Sequence, residues 1–180
     1  MKSNWKKVQL VDCVSTVGDG LHGTPIFDDK GEYYFINGNN LQNNRVIIKN
    51  DTKKVAVSEY EKYKKPLGDR TLLVSINGTL GNIGEYKGEK VILGKSACYF
   101  NVIDTVDKGY IRYTLLNKDF QDYLVQYATG TTIKNVSLKQ MREFSFYLPT
   151  FREQRSISNI LSCIDSKIEN NTAINHHLAA

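Results

Sequence analysis

Side chains that both donate and accept hydrogen bonds are concentrated in the predicted loops of this 180-residue chain. Amides and hydroxyls of this kind can pair with the edges of nucleic-acid bases, and loop cations can pair with phosphates. Asn, Thr and Gly also favour turns for local reasons, so each residue alone has a purely structural alternative. The candidate contact residues are Thr24, Asn37, Asn39, Asn40, Arg45, Asn77, Thr79, Lys95, Thr131, Thr132, Lys134 and Asn135.

A loose match to a metal-dependent nuclease is the main enzymatic alternative. Pro66 and Asp69 precede Glu85-Tyr86-Lys87, an order in which carboxylates can hold Mg²⁺ and a lysine can stabilise charge. Such a short pattern often arises by chance. The run Ser75–Gly81 resembles a phosphate cradle but lacks the Gly-Lys-Ser/Thr ending of one. The residues therefore favour binding over catalysis.

No metal or cofactor site is predicted. Cys13, Cys98 and Cys163 are far apart and odd in number, which favours free thiols over disulfides or a zinc site. His22 is isolated, and the adjacent pair His176-His177 would diverge by about 100° on a helix. Every proline is isolated, so the Asn/Asp-Pro-Pro-Tyr/Phe motif of adenine methyltransferases is missing, as is a glycine-rich turn for S-adenosylmethionine.

The composition is that of a water-soluble protein with a mild basic excess. The hydrophobic fraction is 41%, the charged fraction is 24% and the mean hydropathy is -0.40. No apolar run approaches the roughly 20 residues that span a bilayer, and the first residues have no apolar segment typical of a signal peptide. We therefore expect a cytoplasmic protein. A net charge of +5 is compatible with a polyanionic partner.

The chain up to Pro149 has short extended segments separated by turn residues, which predicts an irregular, β-rich α+β globule. Two helices are predicted within it. A capping-box pattern at Ser58 and Glu61 opens a short one before Pro66, and helical spacing of apolar residues predicts the other over Tyr110–Ala128. The predicted strands are Glu32–Ile36, Arg45–Lys49, Lys53–Val57, Thr71–Ile76, Lys90–Leu93, Ala97–Ile103 and Phe144–Leu148.

A long helix is predicted from Thr150 to Ala180. Thr150 and Glu153 form a second capping-box pattern, and no Gly or Pro follows. About 30 residues at 1.5 Å each give a rod of roughly 45 Å, longer than a small globule can cover. The apolar stripe therefore predicts a partner helix, although folding back onto the same domain is the alternative. The stripe residues are Ile157, Ile160, Leu161, Ile164, Ile168, Asn171, Ile174 and Leu178, with Asn171 as a candidate for setting the helix register.

The sequence resembles the specificity subunits of type I restriction–modification systems. Leu148-Pro149-Thr150-Phe151-Arg152-Glu153-Gln154 and Ile164-Asp165-Ser166-Lys167-Ile168-Glu169 resemble the start of the helical spacer of that family. Upstream, Ser75–Gly81 resembles its glycine turn, and Gly130–Ser137 resembles the polar loop before its last strand. The match to the polar loop makes Lys134 and Asn135 the strongest individual candidates for DNA contact.

This resemblance implies a DNA target-recognition domain over residues 1–149 and a helical spacer over residues 150–180. Full-length members carry two such sets, and only one is present here. The chain is therefore expected to be either a fragment or a half-length subunit. For a half-length subunit the resemblance implies antiparallel pairing of the helix with a second copy and a palindromic, interrupted target on double-stranded DNA. Catalysis would belong to partner methyltransferase and restriction subunits. The alternatives are a protein-interaction scaffold that binds no DNA and the Mg²⁺-dependent nuclease.

Overall fold

The computed structural model describes residues 5–178 as an α+β fold with a long C-terminal helix. Its helices are α1 (Val57–Tyr63), α2 (Lys108–Leu116), α3 (Lys118–Tyr127), α4 (Leu138–Glu143) and α5 (Phe151–Leu178). Its strands are β1 (Lys6–Gln9), β2 (Val14–Asp19), β3 (Tyr33–Ile36), β4 (Leu41–Gln42), β5 (Asn44–Val46), β6 (Lys54–Val55), β7 (Thr71–Ser75), β8 (Ile83–Glu85), β9 (Val91–Leu93), β10 (Ala97–Val102) and β11 (Ser145–Leu148).

The strands form three sheets around β10 and β7. The central sheet has the order β2-β10-β7-β8-β5-β4, a second sheet has the order β6-β3-β9, and β1 pairs with β11. The β10–β2 and β10–β7 pairs are antiparallel, whereas β5 pairs with β8 in parallel. This crossed connectivity brings loops that are distant in the sequence to the same end of the central sheet.

Strand β7 is buried on both faces, which explains the apolar run Leu72–Val74 at its centre. Leu72 and Val74 point into a large core with Phe100 of β10, and Leu73 points into a smaller core on the opposite side with Tyr99. The alternation follows directly from the two-residue period of an extended strand. Helices α2 and α3 cover the large core.

Two helix predictions are wrong in detail. The predicted helix Tyr110–Ala128 is two helices, because Asn117 takes the extended backbone angles φ −66° and ψ 151° between α2 and α3. The predicted capping box at Ser58 does not form, since α1 already begins at Val57 after Ala56. That early start also shortens the predicted strand Lys53–Val57 to Lys54–Val55.

Several short elements were not predicted, among them β2, β4, β8 and α4. Helix α4 has only six residues, too few to show a 3.6-residue period. Its local signal was nevertheless present, because the Ser137 side chain accepts from Gln140 N–H while the Gln140 side chain accepts from Ser137 N–H. This reciprocal capping box marks the helix start.

Helix α5 begins where the sequence predicts. The Thr150 hydroxyl accepts from the Glu153 backbone N–H, and the Glu153 carboxylate accepts from the Thr150 N–H at 2.9 Å. The Thr150 hydroxyl also donates to the Glu153 carboxylate at 2.7 Å; this bond, the one from the Thr150 N–H and one from the Trp5 indole lower the pKa of Glu153. A charged carboxylate is therefore maintained at the positive end of the helix dipole.

Gln154 joins α5 to the globule. It is only 2% exposed; its Nε2 donates to Pro149 O at 2.8 Å and its Oε1 accepts from Asp107 N–H at 2.9 Å.

We expect Gln154→Leu to lower the free energy of unfolding by about 2–3 kcal/mol, because two buried backbone groups lose their partners. Urea titration at a fixed protein concentration measures this loss. The matched control is Arg155→Ala on an exposed neighbour; equal midpoints for the two variants would contradict the role of Gln154.

Candidate DNA interface

One end of the central sheet gathers most of the candidate contact loops. Cys98 at the start of β10 pairs with Asp19 at the end of β2, and Ala97 pairs with Ser75 at the end of β7. Val74 in turn pairs with Ile83 at the start of β8. The loops 20–24, 76–82 and 94–96 therefore leave the sheet at the same end.

A fourth loop, 129–136, is bonded to the loop after β7. The backbone N–H of Gly78 donates to Lys134 O at 2.9 Å, and Val136 N–H donates to Ile76 O at 2.9 Å. The side chains also meet, since Asn77 Nδ2 donates to Asn135 Oδ1 at 3.2 Å. Two loops more than fifty residues apart in the sequence thus form one paired structure.

A fifth loop, 37–40, is held against the turn before β10. Ser96 Oγ donates to Asn37 Oδ1 and accepts from the Gly38 N–H, each at 2.9 Å. Lys95 N–H donates to Leu21 O at 3.0 Å, which ties this turn to the loop after β2. We call the surface formed by loops 20–24, 37–40, 76–82, 94–96 and 129–136 the loop face.

Eleven of the twelve candidate contact residues lie in the loop face, and all of these but Asn40 are half-buried or exposed. Asn37, Asn77 and Asn135 are half-buried and hydrogen-bonded to other loops of the face. The others are exposed: Thr24, Asn39, Thr79, Lys95, Thr131, Thr132 and Lys134. Within residues 5–178 neither Lys95 nor Lys134 forms an ion pair, so both ammonium groups are available to a phosphate.

Asn40 has a structural role, which removes it from the candidate contacts. Its side chain is 5% exposed; Nδ2 donates to Ile47 O and Oδ1 accepts from Asn37 N–H. Both ends of the amide are therefore used inside the fold. A turn asparagine and a base-reading asparagine look alike in the sequence, and only burial separates them.

Arg45 of β5 is outside the five loops of the loop face and contacts the long helix. Its Nη2 lies 2.8 Å from Oε2 of Glu169 on α5. This bond joins the β4–β5 hairpin to α5, and the phosphate contact of Arg45 stays a prediction. Conversely, His22 was not predicted as a contact, yet it is exposed on the loop face with Nε2 2.6 Å from Asp19 Oδ2.

Lys108 contacts two residues of the predicted nuclease pattern, Glu85 and Asp69. Lys108 Nζ lies 2.6 Å from Glu85 Oε1 and donates to the backbone carbonyl of Asp69 at 2.5 Å. The ammonium group thus joins the two segments through the side chain of Glu85 and the main chain of Asp69. In the described part of the chain, His, Cys, Asp and Glu side chains form no cluster of three or more suited to a metal ion.

The pairing of the two loops requires a left-handed backbone at Gly78, where φ is +76°. An added Cβ there would meet no atom within 4 Å, so Gly78→Ala tests conformational strain alone. We expect a loss of about 1–2 kcal/mol in the free energy of unfolding. Gly68→Ala is the matched control, because that site is equally open and has no positive φ. Thermal unfolding compares the two; a larger loss for the control would refute the argument.

Helix α5 has two different faces. One face packs on α2: Tyr113 OH donates to Asp165 Oδ2 at 2.7 Å, and Arg112 Nη1 lies 3.6 Å from the same oxygen. Burial, together with the Asp165 hydrogen bond, raises the pKa of Tyr113 to about 12, so the phenol stays protonated. The other face is exposed and largely apolar, with Ile164 49% exposed and Ile168 58% exposed.

The exposed face matches most of the predicted pairing stripe. At about 100° per residue, its members fall within an arc of roughly 120°. Ile157 instead packs on the large core, and Leu161 is half-buried, so both belong partly to the globule. The exposed stripe is Ile160, Ile164, Ile168, Asn171, Ile174 and Leu178.

None of the helices described over residues 5–178 is long and apolar enough to cross a bilayer.

Comparison with known proteins identifies the family. The model of the type I restriction modification DNA specificity domain matches residues 2–180. A protein named as a type I specificity subunit of Mycoplasma pneumoniae is 25% identical over 170 residues, covering 93% of this chain and 40% of the relative. A similarly named protein of Mycoplasma genitalium is 25% identical over 171 residues, covering 93% of this chain and 39% of the relative.

Solved structures show the same fold. The S subunit of a type I restriction-modification system from M. genitalium superposes with a TM-score of 0.65 at 22% identity, covering 96% of this chain and 42% of that chain. The HsdS subunit from Thermoanaerobacter tengcongensis gives a TM-score of 0.69 at 14% identity, covering 97% of this chain and 40% of that chain. The chain thus spans about 40% of the length of the relatives it matches. It belongs to the type I restriction modification DNA specificity domain family.

Proposed function

We propose that this chain recognises a DNA sequence through the loop face. The observation that carries the proposal is the convergence of five loops, which bring amides, hydroxyls and two unpaired lysines to one end of the sheet. Lys95 and Lys134 would neutralise phosphates and fix the register, while Asn77, Thr79 and Asn135 would meet base edges. Hydrogen bonds between the loops hold these groups in place before DNA binds.

Helix α5 pairs with a second copy of the chain in this proposal. Residues 1–149 form the recognition domain, and residues 150–180 form the spacer that runs antiparallel to its partner. The exposed isoleucine stripe supports pairing, since the opposite face of the helix is already occupied by α2. Two recognition domains related by a two-fold axis would read two identical half-sites separated by a fixed gap.

The chain itself performs no catalysis in this proposal. It directs methyltransferase and restriction subunits to the target, and those partners methylate and cleave. Lys108 between Asp69 and Glu85 supports the assignment, because an ammonium group there competes with Mg²⁺. Incubation of DNA with Mg²⁺ and the isolated chain is expected to leave the DNA intact. Cutting that is lost in Asp69→Ala would instead support the nuclease alternative.

Selection from a randomised duplex pool tests the recognition function. The bound fraction is sequenced, and we expect one enriched motif with two inverted half-sites and a constant gap. Affinity for that motif is expected to fall steeply with salt, as phosphate neutralisation requires. A dimeric protein that enriches no motif would contradict DNA recognition and would favour the scaffold alternative.

A further inference from the structure

An aromatic groove lies between α3 and β11, on a surface that neither the loop face nor the α5 stripe uses. Its main cavity has a volume of about 570 Å³, and its walls include Tyr123, Tyr127 and Phe144. A second cavity of about 350 Å³ shares Phe144 and continues the groove to Trp5 and Tyr147. We call these two adjoining cavities the α3–β11 groove.

The aromatic rings of the main cavity are held in place. The centroids of Tyr123 and Tyr127 lie 4.5 Å apart, and those of Tyr123 and Phe144 lie 5.2 Å apart. Tyr123 OH donates to Gln140 O at 2.8 Å, which fixes the middle ring. Tyr127 remains 43% exposed and Tyr147 remains 58% exposed. Large, pre-positioned and exposed aromatic side chains are typical of protein-binding hot spots.

The main cavity is acidic, although the chain as a whole is basic. Asp119, Asp122 and Glu143 line it, and no lysine or arginine does. Asp122 and Glu143 pair only with exposed lysines one turn away on their own helices, and Asp119 forms no ion pair within residues 5–178. The carboxylates would repel a DNA phosphate, so this surface does not extend the loop face.

Rings combined with carboxylates select a planar organic cation. A guanidinium group can stack on a tyrosine face and donate two parallel hydrogen bonds to one carboxylate, whereas an ammonium group cannot do both. Five aromatic residues line the second cavity, where Lys7 offsets the charge of Asp119, so it suits the apolar neighbours of such a cation rather than the cation itself.

We propose that the α3–β11 groove is a docking site for a partner protein, which inserts an arginine into the main cavity and apolar residues into the second. The arginine stacks on Tyr123 or Tyr127 and pairs with Asp119 and Glu143. Charge complementarity carries this choice: the main cavity is negative where the chain is positive, and three aromatic rings line it beside the carboxylates. The site is independent of DNA recognition and of helix pairing.

A peptide titration followed by ¹H–¹⁵N NMR tests the site on the full chain. The probe is the blocked tripeptide Gly-Arg-Gly, and the control is the same peptide with citrulline, which keeps the shape and loses the charge. We expect binding in the millimolar range, with shifts confined to residues 119–127 and 143–147. The citrulline peptide is expected to bind at least about tenfold more weakly.

Two double variants distinguish binding of the arginine peptide in the groove from a general effect of negative charge on the protein surface. Asp119→Asn with Glu143→Gln should weaken the arginine peptide by at least about tenfold, whereas Asp29→Asn with Asp51→Asn, which removes two distant carboxylates, should not. The dispersion of the NMR spectrum verifies folding, and selection of a DNA motif should be unchanged in both double variants. Equal shifts with citrulline, no shifts at about 50 mM peptide, or equal weakening in both double variants would each overturn the proposal.

Discussion

Replacing Ile164 and Ile168 by glutamate should convert the proposed dimer of this chain into monomers. Both side chains lie on the exposed stripe of α5, about one helical turn apart, and neither contributes to the cores of its own domain. In an antiparallel pair the change introduces four carboxylates into the seam, each buried without a partner. We expect the dissociation constant to rise at least about a hundredfold. Sedimentation velocity over a range of concentrations measures it.

Ser166→Glu is the matched control for that experiment. Ser166 is exposed on the same helix but faces away from the stripe, so its carboxylate stays in water. The control should remain dimeric. A dimer that persists in the double variant would show that the copies associate through another surface.

The monomeric variant should also lose affinity for the full target while still binding a single half-site. Two linked recognition domains gain about 10²–10⁴ in affinity over one because the second contact is intramolecular. Fluorescence anisotropy with one-half-site and two-half-site duplexes separates the two quantities. Equal affinities of the dimeric and monomeric proteins for the full target would contradict the paired arrangement.

Removing the two lysines of the loop face should have the second large effect. We expect Lys95→Ala with Lys134→Ala to weaken DNA binding about a hundredfold at moderate salt, because a dimer loses four phosphate contacts. The slope of log affinity against log salt should become shallower by about 3–4. Titrations at several salt concentrations determine that slope. The preferred motif should be unchanged, since phosphate contacts carry no sequence information directly.

Lys30→Ala with Lys87→Ala removes the same charge from another part of the surface. Lys30 precedes β3 and Lys87 follows β8, which places both near the opposite ends of these strands from the loop face. This control should reduce affinity only slightly. If both double variants reduced affinity and slope equally, binding would depend on net charge alone rather than on the loop face.

Local signals in the sequence were sufficient for most of the elements. The capping box at Thr150 and Glu153 sets the start of α5, and the apolar run Leu72–Val74 in β7 reflects a strand buried on both faces. The capping box depends on interactions within a few residues. The burial of β7 is visible in the sequence because a strand covered on both faces has consecutive apolar residues. The break at Asn117 was missed because the apolar stripe continues through it, and periodicity does not detect a single residue with extended backbone angles.

The composition of the site followed from the sequence, whereas its assembly did not. Candidate residues could be chosen because loop amides, hydroxyls and lysines have suitable chemistry wherever they lie. Pairing between Asn77 and Asn135 depends on strand order and on how the chain connects the strands, and no short segment of the sequence reveals either. The resemblance to a family narrowed the function without determining which of these groups are accessible.

The sequence by itself therefore determined the fold class, the start of the long helix and the chemistry of the loops, because hydrogen-bonding type, capping and apolar period are local properties. Tertiary structure alone decided which of those groups can act. It buried the amide of Asn40, turned Arg45 towards Glu169 and left ten candidates on one surface. The reason is physical: accessibility and partners are properties of packed surfaces, and packing joins residues that the sequence keeps apart.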